Sequence, residues 1–257
     1  MRYSLFDAHL HIIDSEFPLT ANQGYLPAPY SVSNYRQEIA GIDIAGGAVV
    51  SGSFQGFDQG YLVAALKHLG PDFVGVTQLP ISVKDDELLY LDRCGVRAVR
   101  FNVRRGGSEE LGALAHMALR VYELCGWHVE LYIDAAELSP LLPLLADLPC
   151  FSIDHLGLSQ QGLPQLLRAV ELGAKVKASG FGRVTLNVEE ALQQIHQLDP
   201  TALMFGSDLP GTRAPRRFQR QDLDRIVASL GEEAAEAVFR TNAEGFYRTR
   251  PSPAGAE

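Results

Sequence analysis

Two histidines, His9 and His11, stand two residues apart in Phe6-Asp7-Ala8-His9-Leu10-His11-Ile12, a stretch that reads as a β-strand. Alternate residues of a strand share a face, so Asp7, His9 and His11 are expected on one side and Phe6, Ala8 and Leu10 on the other. Two imidazoles with a carboxylate beneath them can polarise a carbonyl, hold a divalent cation or relay a proton. The plainer alternative is a half-exposed edge strand with incidental histidines. Further groups of the same chemistry come later: His155 closes Phe151-Ser152-Ile153-Asp154-His155, and Asp208 closes Phe205-Gly206-Ser207-Asp208. Taken singly, a histidine at a strand end is more often a hydrogen-bonded core residue, and an Asp before Leu-Pro a turn former. Four such groups at the same ends of different strands would form one constellation.

The elements that would position them recur with a regular spacing. Short β-branched or aromatic runs return roughly every 25 to 30 residues, with helical patterns between most of them. The runs are Leu5–His11, Gly47–Ser53, Phe73–Leu79, Val96–Asn102, His128–Asp134, Cys150–His155, Lys175–Phe181 and Leu203–Asp208. Helices are expected over Tyr35–Ala45, Asp58–Leu69, Asp85–Arg93, Glu109–Leu124, Leu138–Leu145, Gly162–Leu172 and Val188–Leu198, with Gln221–Leu230 and Glu232–Thr241 closing the fold. This alternation predicts a single-domain α/β fold, a (β/α)8 TIM barrel over residues 1–248, with a disordered tail at 249–257. In such barrels the chemistry gathers at the C-terminal ends of the strands. The long connection from Asp14 to Asn34, with its prolines and aromatics, reads as an active-site flap. Strand five alternates so that His128, Glu130, Tyr132 and Asp134 face the lumen. Lys177 on strand seven is then expected to form a buried, structural pair with Glu130; the opposite phase, with Ala174, Val176, Ala178 and Gly180 inward, fits the pattern as well.

Composition bounds the rest. Of 257 residues, 46% are hydrophobic and 21% charged, ordinary for a soluble globular protein. No apolar run approaches the roughly 18 residues of a membrane span. The first strand follows Met1-Arg2-Tyr3 directly, with no room for a signal peptide, so a cytoplasmic location is the expectation. Cys94, Cys125 and Cys150 have no metal-like spacing and read as reduced packing residues. A formal charge of −9 argues against a nucleic-acid partner and offers an anionic substrate no general steering. Any small anionic substrate must be met by local arginines. The oligomeric state is left open.

Those arginines are present. Arg100 and Asn102 share a strand face, Arg104 and Arg105 follow in the next loop, Arg183 comes after strand seven, and Arg213, Arg216 and Arg217 come after strand eight. Guanidinium forks bind carboxylates in a bidentate way that lysine does not match. Several around one mouth suggest a polycarboxylated substrate, although Arg104, Arg105, Arg216 and Arg217 read equally well as solvated loop charges.

Taken in order, DAHLH, SFQGFDQGYLVAAL, VRAVRFN, GWHVELYID, SIDHLG, VKASGFGR and LMFGSDLP span nearly the whole chain. This ordered set resembles the amidohydrolase superfamily, in the branch containing metal-dependent TIM-barrel hydrolases and 2-pyrone-4,6-dicarboxylate lactonase. Metal-dependent members commonly carry a histidine near the end of strand five, where this chain has Tyr132. The resemblance to the lactonases implies catalysis with no required cofactor; the alternative is Zn²⁺ or Mn²⁺ on His9, His11 and Asp208. It further implies a carboxylated cyclic ester as substrate. Arg100 and Arg183, with Arg104 or Arg105, would hold its carboxylates, and Tyr132, Ser53 and Tyr25 would contact it. His9, His11 and His155 would polarise the lactone carbonyl, and Asp208 would be the general base. Rival expectations are a metal-dependent hydrolase or decarboxylase of the superfamily, a sugar-acid lactonase, and a non-catalytic ligand-binding barrel.

Overall fold

The computed structural model describes residues 3–247. Eight parallel strands pair in chain order: β1 (Ser4–Leu10), β2 (Asp43–Val50), β3 (Phe73–Thr77), β4 (Val96–Phe101), β5 (His128–Leu131), β6 (Phe151–Ile153), β7 (Lys175–Ala178) and β8 (Leu203–Phe205). The ring closes just beyond β8. Leu10 bridges Leu209 in parallel, the Asp208 amide donates to the His9 carbonyl at 2.7 Å, and the His11 amide to the Leu209 carbonyl at 2.7 Å. Around this barrel run α1 (Val32–Glu38), α2 (Gly60–Leu69), α3 (Asp85–Arg93), α4 (Leu114–Cys125), α5 (Leu142–Ala146), α6 (Leu163–Glu171), α7 (Val188–Leu198), α8 (Gln221–Leu230), α9 (Glu232–Glu236) and α10 (Asn242–Tyr247). The architecture is the expected (β/α)8 barrel. The domain end at 248 and the tail at 249–257 lie outside the described residues. Among the described residues, no helix is long and apolar enough to cross a membrane.

Local sequence explains the helices that match expectation best. In α7 the Asn187 side chain accepts from the Glu190 amide and two glutamates occupy the first turn, while Val188, Ala191, Leu192 and Ile195 form one buried stripe. The helix expected over Tyr35–Ala45 instead starts at Ser31, which caps it reciprocally with Asn34, and stops at Ile39 so that β2 begins at Asp43. The final helix is broken. A π-helical turn over Ala237–Thr241 separates α9 from α10, and α10 was not foreseen.

β1 corrects the simple alternation. Asp7 pairs with Gly47 but Leu10 with Val49, so three steps on β1 match two on β2 and the strand bulges. Phe6 and Ala8 pack inside the barrel with Ala48, Val50, Val76, Ala98, Met204 and Tyr247, whereas the Tyr35 hydroxyl of α1 donates to Asp7 at 3.0 Å. Asp7 therefore does not share a face with the histidines. The bulge changes the phase of the strand, Leu10 joins the helix-facing core, and His9 and His11 reach the lumen. Asp7 accepts from the Ser207 amide at 2.7 Å and the Ser207 hydroxyl at 2.6 Å, stapling β1 to the segment that follows β8.

Candidate active site

The lumen is a stack of polar layers on an apolar base. At the bottom, the Tyr247 hydroxyl from α10 donates to Glu130 at 2.6 Å. Lys177 of β7 donates to the other oxygen of Glu130 at 2.5 Å, which is the buried pair expected from strand phase. Lys177 also lies 3.5 Å from Asp154 Oδ1, and Arg100 grips Asp154 Oδ2 through Nη2 at 2.7 Å and Nε at 3.2 Å. Burial alone would raise the Glu130 and Asp154 carboxyls; the Lys177 ammonium for the first, and Arg100 with Lys177 for the second, outweigh it and hold both low.

Above this floor, four groups converge. His9 Nε2, His11 Nε2 and His155 Nε2 lie 3.9, 3.7 and 3.9 Å from Asp208 Oδ1. His155 and Asp208 sit just past the ends of β6 and β8, in left-handed backbone with φ of 51° and 58°. Neither is glycine, so each conformation costs about 1 kcal/mol or more and persists because the surrounding turn imposes it. Two glycines make room: Gly180, at φ +61°, leaves no Cβ to meet the His155 imidazole, and a Cβ on Gly206 would fall 2.7 Å from that of His9.

Proton positions follow from the partners. His11 Nδ1 faces the Val50 carbonyl at 2.7 Å, an acceptor only, so Nδ1 carries a hydrogen and, in the neutral form of the ring, Nε2 presents a lone pair. His9 Nδ1 has two neighbours of opposite character, Asp154 Oδ1 at 3.3 Å and Lys177 Nζ at 3.3 Å. His155 Nδ1 meets the Ser179 hydroxyl at 2.9 Å, which can donate or accept, so either tautomer is satisfied. Burial pushes His9 down to about 3, with the Asp154 carboxylate opposing it, and burial pushes His155 well below the usual range. Both rings are neutral at pH 7. Asp208 is the opposite case: burial would raise it, but the Arg183 guanidinium, bound to Oδ2 through Nε at 2.7 Å and through Nη2, holds it well below the usual carboxylate range.

Oδ1 of the same carboxylate and Nε2 of His9 have no hydrogen-bond partner, although both are buried. An unpartnered imidazole nitrogen beside an ionised carboxylate oxygen, with a further imidazole within reach, makes a donor set suited to a divalent cation. The residues fit such an ion. His9, His155 and Asp208 offer ligand atoms that all lie within 4.8 Å of one another, and His11 of the expected set stands beside them with Nε2 3.7 Å from Asp208 Oδ1.

The cavity over these groups is lined by His11, Ser53, Arg100, Arg105, Tyr132, His155, Arg183 and Asp208 of the expected residues, and also by Phe54, Asn102, Thr212 and Arg213. His9 lies beneath it. Arg104 is not part of it: the side chain is exposed, and the residue is tied in through its amide to the Tyr132 carbonyl at 2.9 Å. Tyr25 lines a neighbouring cleft, with the Arg213 guanidinium 4.5 Å above its ring. Asp134, expected in the lumen, instead accepts from the Ala136 amide and the Ser159 hydroxyl in the following loop. Arg100 lines the cavity with hydrogen bonds already made to Asp154 and, at 2.8 Å, to the Ser51 carbonyl. Asp154 itself was overlooked; its place beside His155 in SIDHLG was the available signal.

A barrel with histidines after β1 and β6 and an aspartate after β8 defines a class, and the sequence comparison agrees with it. The chain belongs to the amidohydrolase family, whose model matches residues 6–249. It is similar to a 2-pyrone-4,6-dicarboxylate hydrolase of Comamonas testosteroni, 33% identical over 156 residues, which are 59% of this chain and 51% of the relative. The chain thus aligns with about half the length of that curated relative. Among solved structures, an apo protein of Agrobacterium tumefaciens superposes with a TM-score of 0.85 at 18% identity, covering 98% of each chain. A probable 2-pyrone-4,6-dicarboxylic acid hydrolase of Acinetobacter baumannii with citric acid bound gives 0.80 at 20% identity, over 95% of this chain and 99% of that one. At these identities the structures show the shared fold.

Proposed function

We propose that this protein is a hydrolase that opens a carboxylated cyclic ester of the 2-pyrone-4,6-dicarboxylate type. The observation that carries this reading is the convergence of Asp208 Oδ1 and three imidazole Nε2 atoms on the floor of an arginine-lined cavity. The Comamonas relative's name and the citric acid held by the Acinetobacter protein support a polycarboxylated ligand.

The attacking water donates to Asp208 Oδ1 and to the His11 Nε2 lone pair, and Asp208 takes its proton as the water oxygen bonds to the lactone carbonyl. His155, with its hydrogen on Nε2 and Nδ1 accepting from Ser179, donates to the carbonyl oxygen as it becomes an oxyanion. His11 cannot serve as that donor while neutral, because its hydrogen is committed to Val50. Asp208 then returns the proton to the ring oxygen as the ester bond breaks. Arg183 and Tyr132, 3.4 Å apart, fix one side of the ring. Arg105 takes a carboxylate. Were a divalent ion held by His9, His155 and Asp208, it would supply a Lewis acid for the carbonyl and a more acidic water.

The orphaned His9 and Asp208 atoms favour this metal-dependent form as the second reading. Hydrolysis of 2-pyrone-4,6-dicarboxylate and a set of sugar lactones, with and without chelator and with bound metal quantified, separates the two. Turnover of the dicarboxylate that survives chelation supports the metal-free form. Activity restored only by Zn²⁺ or Mn²⁺ supports the second, and turnover confined to sugar lactones would contradict the proposed substrate class.

A further inference from the structure

Four arginines line the cavity, and they fall into two pairs. Arg100 is neutralised by Asp154 and Arg183 by Asp208, both within the buried floor. Among the described residues, Arg105 and Arg213 at the mouth have no carboxylate within ion-pair distance. Arg105 Nε is buried without a hydrogen-bond partner. Arg213 is held in place by other means: its backbone is left-handed at φ 59°, Nη2 donates to the Asn22 carbonyl and, at 3.2 Å, to the Asn22 side chain, and the guanidinium stacks on Tyr25. The same turn reaches the other arginine, since Asn22 Nδ2 and Gln23 Nε2 donate to the Arg105 carbonyl at 3.1 and 3.3 Å. Burial first, and then the Arg105 guanidinium, push Arg213 below the usual arginine range, so the two cations repel.

Among the described residues no acidic side chain forms an ion pair with either of these two cations. Like charges fixed side by side and partly out of water are relieved by an anion that bridges them, and paired guanidinium forks fit a carboxylate. We propose that Arg105 and Arg213 form an anion subsite at the mouth that takes a second carboxylate of the substrate, remote from the carbonyl under attack. Arg213 is then a specificity-determining residue. The subsite rests on the lactonase reading for the identity of the substrate, though not for the binding of the anion.

Calorimetric titration with citrate and steady-state kinetics on 2-pyrone-4,6-dicarboxylate, applied to wild type, Arg213→Gln, Arg213→Lys and Arg105→Gln, test it. The expected result is a Kd for citrate and a KM for the dicarboxylate each raised about tenfold in both Gln variants, with kcat within about twofold. Arg213→Lys should fall between, keeping the charge but losing the fork. A pyrone lacking the remote carboxylate should show one KM across wild type and the Arg213 variants. Citrate affinity lost in Arg213→Gln without any pyrone turnover by wild type would leave the subsite standing and remove the hydrolase reading. Turnover with KM and citrate Kd unchanged in both Gln variants would overturn the subsite and leave that reading intact.

Discussion

The floor and the mouth of this barrel solve opposite electrostatic problems. On the floor, each charge is buried beside its opposite: Glu130 with Lys177, Asp154 with Arg100 and Lys177, Asp208 with Arg183. Such a layer adds little net stability, because desolvation consumes most of the attraction, but removing one member strands the other. What it secures is geometry. At the mouth, Arg213 is positioned by the Asn22 carbonyl and the Tyr25 ring, and Arg105 through its backbone by Asn22, Gln23 and Asn102, with no carboxylate paired to either guanidinium among the described residues. Buried arginines that are fully paired hold the machinery, and half-buried unpaired ones select what reaches it.

The contrast can be broken by substitution, and the stability costs should rank with depth. Lys177→Met leaves Glu130 and Asp154 short of a cation and should destabilise the fold by about 3 to 5 kcal/mol in chemical denaturation. A cost below about 1 kcal/mol would show that the floor is not a compensated unit.

Acid titration comes next. The His9 and His155 imidazoles are depressed, so the stability they contribute is complete above their unfolded value of 6.5. It is lost as pH falls below that value, and for His9 the loss continues toward 3 at about 1.4 kcal/mol per pH unit. Asp7 works the other way: burial raises it to about 6 against the hydrogen bonds of Ser207, so its contribution is present below 3.8 and lost as pH rises to 6. On metal-stripped protein, His9→Gln should flatten the acid side of the stability curve and Asp7→Asn should steepen it. Matching slopes in the two variants would refute both assignments. The smallest effect is expected at the mouth, where Arg213→Gln should change stability by no more than about 0.5 kcal/mol. A much larger loss would make Arg213 a structural latch for the Asn22–Tyr25 turn.

Much of this arrangement is legible in the chain and some is not. The order of eight strands follows from runs such as Val96–Asn102 and Leu203–Asp208, and the helices Val188–Leu198 and Gln221–Leu230 follow from their apolar stripes and the Asn187 cap. His11, His155 and Asp208 do line one cavity, with His9 beneath. Register is harder to read: the bulge between Asp7 and Leu10 has no signature in the alternation of residue types, so simple alternation puts Asp7 on a face it does not occupy. Ion pairing is harder still. Arg100 and Asp154 are 54 residues apart, and nothing in VRFN or SIDHLG shows that each neutralises the other. In three dimensions Arg100 lines the cavity while paired with Asp154, whereas Arg105 and Arg213 have no carboxylate partner among the described residues.

In the proposed mechanism Asp208, held ionised by Arg183 and faced by three imidazoles, takes the proton of the attacking water. The most direct test is the rate of 2-pyrone-4,6-dicarboxylate opening by Asp208→Asn against wild type, with citrate affinity and circular dichroism recorded on the same preparations. The expected result is a loss of at least about a thousandfold in kcat, with fold and citrate binding retained. An Asp208→Asn enzyme that opens the lactone at a rate near that of wild type would contradict it.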